Sequence, residues 1–220
     1  MQITKVIYGV LTLLPFIPIY IYGKRGYNYM EREIKIYWLF LMFAFVYQIG
    51  LSLAAYNHLH NIFFIVLFQV IEYSVLSILF YMWNPNKFLR FFILFFLVFN
   101  LISWMYFYIG ENINYSISID KHLRNFILIP LSFFTTYKFA ISSERDLLND
   151  TKFWILSGVL INIALCSFVL VLRSYSLTNS EVHNLSEGLL VFVNLVTYIL
   201  FIKGFLCLQA KSKYSGSSLS

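Results

Sequence analysis

Charge is scarce in this sequence. Only 12% of the 220 residues are charged, which is about half of the roughly 25% found in soluble domains. Hydrophobic residues make up 60% of the chain, in blocks close to the roughly 20 residues that a helix needs to cross a bilayer. A soluble globular fold is therefore excluded, and we expect an all-α polytopic protein embedded in the lipid bilayer.

Cysteines and catalytic motifs are also few. The two cysteines, Cys166 and Cys207, lie inside apolar blocks, which excludes a disulfide framework of the secreted kind. None of the patterns Gly-x-Ser-x-Gly, His-Glu-x-x-His or His-x-x-x-His occurs, so the usual signs of a hydrolytic nucleophile or catalytic metal are missing. We expect neither enzymatic activity nor a cofactor.

Seven apolar blocks, bounded by charges, prolines or polar clusters, predict seven transmembrane helices over residues 1–210. We expect these helices near residues 4–22, 36–56, 61–83, 88–109, 124–141, 152–173 and 187–209. Pro130 and neighbouring hydroxyls dilute the fifth helix, but without it roughly forty residues would separate two spans, an uncommon loop length. Residues 211–220 are rich in Ser, Gly and Lys and predict a short disordered tail in the cytoplasm.

The basic residues predict an orientation. Twelve of the 16 Lys and Arg residues lie in alternate loops and at the C-terminal end, and the other four lie on the opposite side. Because cytoplasmic loops carry the excess of Lys and Arg, we expect the N-terminus outside and the C-terminus inside a bacterial cytoplasmic membrane. The basic residues form no run of five or six, so the net charge of +6 does not indicate a nucleic-acid partner.

Some features recur along the chain. Prolines lie in helices one (Pro15 and Pro18) and five (Pro130), and helices two and six open similarly, at 35–38 and 152–154. This pattern suggests a 3+1+3 arrangement, in which two parallel three-helix bundles are joined by helix four; a chance alignment of aromatic-rich spans is the alternative. The layout is similar to that of sugar-exporting and vitamin-precursor transporters, although no Pro-Gln motif is present.

Glu72 is the only acidic residue in the interior of a predicted span, since Glu187 lies at the first residue of the seventh. A charge near the middle of a bilayer costs about 2.5–3.5 kcal/mol or more, so such carboxylates usually mark a ligand or ion pathway. Asn61 and Gln69 lie on the same helical face as Glu72, and the three are candidate ligand-binding residues. The alternative is a protonated or paired Glu72 that serves only helix packing.

Further polar residues lie within helices six and seven. Asn162 is on helix six, and Asn194, Thr197 and Tyr198 form a stripe on helix seven. We include all four among the candidate ligand-binding residues. Taken singly, each is better explained as a hydrogen-bonding contact between helices.

The four histidines all lie in loops predicted on the outer side of the membrane: His58, His60, His122 and His183. Imidazole is the commonest metal ligand and changes charge at about pH 6.5, so a metal site or a pH-sensitive patch is one interpretation. Three separate loops would have to converge, however, and His58-Leu59-His60 matches no zinc pattern. Solvated loop histidines are the favoured interpretation, and we expect no metal site.

The predicted loops and tail are too short for a soluble catalytic or effector domain. We therefore expect a membrane-embedded sensory or small-molecule-binding module that acts through a membrane or cytoplasmic signalling partner. In its general pattern the chain resembles the seven-helix input modules of bacterial histidine kinases. The alternatives are a small-solute transporter with Glu72 at a midplane site, and a structural subunit of a membrane complex.

Overall fold

The computed structural model describes residues 16–56, 62–84, 86–109, 113–142, 147–175 and 180–216. The regular secondary structure of these residues is entirely helical and includes two short 3-10 turns at Tyr27–Tyr29 and Leu147–Asn149. The α-helices are α1 (Phe16–Gly26), α2 (Arg32–Tyr56), α3 (Ile62–Trp83), α4 (Lys87–Ile109), α5 (Ile113–Ser142), α6 (Thr151–Tyr175) and α7 (Ser180–Gly216). The all-α prediction is confirmed.

Five of these helices are long and apolar enough to cross a membrane, which indicates an integral membrane protein. The five candidate spans are Arg32–Leu51, Phe64–Trp83, Lys87–Tyr106, Thr151–Leu172 and Asn184–Leu208. Predicted helices two, three, four, six and seven thus correspond to helices that are long and apolar enough to cross a membrane. α1 is described only from Phe16 onward, and α5 is not among the candidate spans found in the described residues.

Two helices begin earlier than the membrane spans predicted from the sequence. α5 begins at Ile113 rather than near residue 124, and α7 begins at Ser180 rather than near residue 187. Both extensions are rich in polar residues but contain no proline, so nothing in them breaks a helix. α7 also continues to Gly216, which makes the first six residues of the predicted disordered tail helical.

Side-chain caps define the starts of two helices. Asn86 and Asp150 precede α4 and α6, and their Oδ1 atoms accept hydrogen bonds from the backbone N–H groups of Phe88 (2.9 Å) and Lys152 (2.7 Å). Such caps satisfy donors that have no partner within the helix. The side chains of Asn86 and Asp150 therefore fix the positions at which α4 and α6 begin.

The chain divides into two compact units, Met1–Trp38 with Ser132–Ser220 and Leu39–Leu131. In the first unit α6 and α1 both pack along α7. A Cβ added at Gly158 would come within 2.5 Å of the Phe201 ring, and one at Gly204 within 3.3 Å of the Thr151 carbonyl. Small residues at these two positions let α6 and α7 approach closely, as in many membrane helix pairs.

In the second unit α3 and α4 form an antiparallel hairpin. Arg90 of α4 fixes its turn, because Nε donates hydrogen bonds to the carbonyl oxygens of Tyr81 (3.1 Å) and Asn84. The guanidinium also lies 5.1 Å from the centre of the Tyr81 ring, in the range of a cation–π contact. One side chain thus satisfies carbonyls at the end of α3 that lack helical partners.

The predicted 3+1+3 repeat would group α1 with α2 and α3. In the first unit α1 packs along α7 and also contacts the start of α2, where Trp38 Nε1 donates a hydrogen bond to the Ile19 carbonyl oxygen at 3.2 Å. The repeat and the predicted orientation of the chain both stay predictions.

Candidate functional site

A polar cluster of Gln69, Glu72 and Arg124 lies in the second unit. Nη2 of Arg124 on α5 donates a hydrogen bond to Oε1 of Gln69 on α3 at 3.0 Å. Glu72 follows Gln69 by three residues, so both side chains project from one face of α3. The guanidinium therefore lies about one helical turn from the Glu72 carboxyl group. We call these three residues the α3–α5 cluster.

The α3–α5 cluster lies within the apolar part of the chain. Glu72 is eight residues after Phe64, the start of the candidate span, which corresponds to about 12 Å at 1.5 Å per residue. Arg124 is only 5% exposed and Glu72 is half-buried. The cluster thus brings a buried cation and an acidic group together at membrane depth, where charged groups are rare and usually functional.

Aromatic rings from α2 surround Phe68, the residue one turn before Glu72. Tyr47 stacks on the Phe68 ring at 4.1 Å with an angle of 7° between the planes, and Phe40 and Phe43 lie at 6.0 and 6.2 Å. Tyr47 is also close enough to Glu72 for an electrostatic interaction. Among the described residues, the buried Tyr47 hydroxyl has no hydrogen-bond partner.

Asn100 of α4 lies at about the same level as Glu72. Arg90 on α4 contacts Tyr81 on α3 across the hairpin. Ten residues farther from the turn, α4 reaches Asn100 and α3 reaches Ile71, the neighbour of Glu72. Because both helices rise by 1.5 Å per residue, the two positions stay level. Asn100 is 4% exposed, and its Oδ1 atom has no hydrogen-bond partner within the described part of the chain.

The candidate residues of α6 and α7 lie in the first unit. Nδ2 of Asn162 donates a 3.3 Å hydrogen bond to Oγ1 of Thr197, and Oδ1 of Asn162 lies 3.8 Å from Sγ of Cys166. Thr197 is buried, whereas Asn194, one turn earlier, is half-buried. The contact joins α6 to α7, which is the packing role expected of such residues taken singly.

Tyr198 packs among aromatic rings of the first unit. Its ring lies 5.1 Å from that of Phe16 and 6.4 Å from that of Phe201, and Phe201 in turn meets Tyr37 edge-on at 5.4 Å. Such tilted and edge-on arrangements are favourable for aromatic pairs. Lys203, two residues after Phe201, is exposed.

Several predicted positions fall outside what the structure describes. Asn61, His58 and His60 lie outside the described residues. His122 and His183 belong to α5 and α7 rather than to loops, which corrects their predicted placement, although their side chains lie outside the description. Among the described residues there is no group of three or more His, Cys, Asp or Glu side chains suited to a metal.

Arg124 is the residue of this site that the sequence misplaced. The sequence placed it at the first residue of the predicted fifth helix and counted it among the four basic residues of the outer side. In the structure it lies eleven residues inside α5 and is buried. A helical signal was present, because the sequence from 113 to 129 contains neither proline nor glycine.

Comparison with known proteins identifies no relative. No protein-family model matches the chain, and neither the curated proteins nor the solved structures contain a match.

Proposed function

We propose that this protein is a membrane-embedded sensory or ligand-binding module that holds a small ligand at the α3–α5 cluster and acts through a partner protein. The observation that supports the proposal is the buried Arg124 guanidinium, bonded to Gln69 one turn from Glu72. We further propose that the membrane is the bacterial cytoplasmic membrane, with the C-terminus in the cytoplasm.

The energetics of the bilayer support a ligand site better than a packing role. Charged groups within spans are costly, whereas apolar side chains would fill the same volume without that cost. The structure shows that uncharged residues can join helices in this protein, since Asn162 and Thr197 link α6 to α7. A charged cluster is therefore more than helix packing requires.

Native mass spectrometry of protein extracted mildly from its own membrane tests the ligand. We expect a small molecule to remain bound to the wild type and to be lost from Glu72→Gln and Arg124→Gln. The matched controls are Glu33→Gln and Arg25→Gln, outside the α3–α5 cluster, which should retain it. Equal occupancy in all five proteins, or a wild type without a bound molecule, would contradict the proposal.

A partner is tested separately, by crosslinking in the native membrane followed by purification. We expect one membrane or cytoplasmic signalling protein to be recovered in a fixed ratio to this chain. Recovery of lipids alone would contradict action through a partner while leaving the ligand site standing.

A small-solute transporter is the second candidate, and Pro130 favours it. This residue lies inside α5, six residues after Arg124, where it removes a helical hydrogen bond and allows a kink. A hinge so close to the cluster could open the site to one side of the membrane. Flux of a solute into proteoliposomes that is lost in Glu72→Gln would establish the transporter in place of the sensor.

A further inference from the structure

The charges of the α3–α5 cluster restrict its ligand. Arg124 supplies one positive charge, and Glu72, about one turn away, supplies an acidic group. Transfer of a net charge into an apolar environment is costly. A ligand that matches both groups while remaining neutral overall is therefore favoured over a simple anion or cation.

Two buried polar atoms add complementary hydrogen-bonding capacity. The Tyr47 hydroxyl, near Glu72, has no partner among the described residues, and it can donate to an anionic group. Oδ1 of Asn100, at the level of Glu72, also lacks a partner there and can accept from a cationic group. Buried polar atoms of this kind are rare because each costs free energy until it is paired.

An apolar surface lies next to these polar groups. Phe68 is one turn before Glu72, and the rings of Phe40, Phe43 and Tyr47 lie within 6.2 Å of it. Together they offer contact area to an uncharged side chain.

Building on the proposed ligand site, we infer that the ligand is a small zwitterion of the amino-acid type with an apolar side chain. Arg124 and Tyr47 bind its carboxylate, while Glu72 and Asn100 bind its ammonium group. The aromatic residues around Phe68 contact its side chain. Charge-assisted hydrogen bonds at both ends give the site its selectivity.

Binding to the full chain in lipid nanodiscs tests the inference with three molecules of one skeleton. The probes are phenylalanine, 3-phenylpropanoate, which lacks the ammonium group, and phenethylamine, which lacks the carboxylate; leucine serves as a second zwitterion. We expect the zwitterions to bind about ten to a hundred times more tightly than the two single-charge analogues. Equal or tighter binding of either analogue, or no binding of either zwitterion, would overturn the inference.

Variants that remove one charge add a second measurement, the order of preference among the probes, which a purely structural role would not change. Glu72→Gln should shift the preference toward 3-phenylpropanoate, because only the positive partner remains. Arg124→Gln should shift it toward phenethylamine; if this variant does not fold, the result for Glu72→Gln decides. An unchanged order of preference in Glu72→Gln would contradict the assignment of the ammonium group to Glu72.

The two proposals fail in different ways. A molecule that co-purifies with the wild type but not with Glu72→Gln, in a protein that binds neither zwitterion, would leave the ligand site standing and refute only the ligand class. A wild type with no co-purified molecule and no binding to any probe would refute both.

Discussion

Nη2 of Arg124 lies 3.0 Å from Oε1 of Gln69, so a neutral amide on α3 receives a hydrogen bond from a buried cation on α5. This contact joins two helices that are far apart in the sequence. It also places the guanidinium near Glu72, which is why the second unit contains the strongest candidate site of the described chain.

The first prediction concerns the Arg124–Gln69 pair. Arg124→Leu should lower the free energy of unfolding by about 1–3 kcal/mol, because Gln69 loses a buried donor. The double variant Gln69→Leu with Arg124→Leu should lose less than the sum of the two single variants. Reversible unfolding in detergent measures all four proteins of this cycle. Strict additivity would show that the hydrogen bond contributes nothing.

The second prediction concerns the close approach of α6 and α7. Gly158→Ala should destabilise the protein by about 1–3 kcal/mol, since its new methyl group would overlap Phe201. Phe201 is 4% exposed and packs against Tyr37 and Tyr198, so its ring has little room to turn.

Gly50→Ala is the matched control for Gly158→Ala. No atom of the described structure lies within 4 Å of a Cβ built at Gly50, which belongs to α2. Alanine there should leave the melting temperature unchanged or raise it, because alanine favours a helix by up to about 1 kcal/mol over glycine. Equal losses in the two variants would contradict the packing described for Gly158.

The third prediction concerns the hydrogen bond from Asn162 to Thr197. Bonds of this kind between membrane helices average about 0.6 kcal/mol and reach about 1.7 kcal/mol. A double-mutant cycle with Asn162→Leu and Thr197→Val should give a coupling energy in that range, measured by unfolding in detergent. The ligand affinity of the α3–α5 cluster should stay unchanged in these variants. A tenfold loss of affinity would instead place Asn162 or Thr197 in the binding machinery.

The fourth prediction concerns the ion pair between α6 and the residue preceding α2. Nζ of Lys152 lies 2.6 Å from Oε2 of Glu31, whose side chain is 54% exposed, and 3.9 Å from Oε1 of Glu33. Because exposed pairs are weak and screened by salt, Lys152→Met should cost at most about 1 kcal/mol at low salt. Melting curves at low and high salt, with the exposed Lys24→Met as control, measure the difference. A loss that persists in high salt would indicate a packing role for Lys152.

The sequence predicted the helices well where hydropathy alone determines them. α3, α4 and α6 begin and end within two residues of their predicted bounds, because charges or turns flank each apolar block. α5 and α7 extend farther than predicted. Their outer turns contain Asn, Ser, Asp and Lys, a composition that helices and loops share. A prediction from hydropathy therefore leaves these turns out of the helix.

The candidate site was predicted only in part. Glu72 and Gln69 followed from helical spacing, because residues three apart share a face. The partnership with Arg124 did not, since periodicity within one helix carries no information about which distant helix lies against it. The late start assigned to α5 also made Arg124 the first residue of the predicted helix, where it counted as a charge of the outer side and was not considered as a site residue. Tyr47 and Asn100 were missed as site residues because aromatic residues and single asparagines are common in spans.

The most direct test of the ligand site is a high-resolution structure of the wild type in nanodiscs of its native lipids. We predict non-protein density within hydrogen-bonding distance of both the Arg124 guanidinium and the Glu72 carboxyl group, and its loss in Glu72→Gln. A closed, dry centre with no non-protein density near either side chain, in both proteins, would contradict the account.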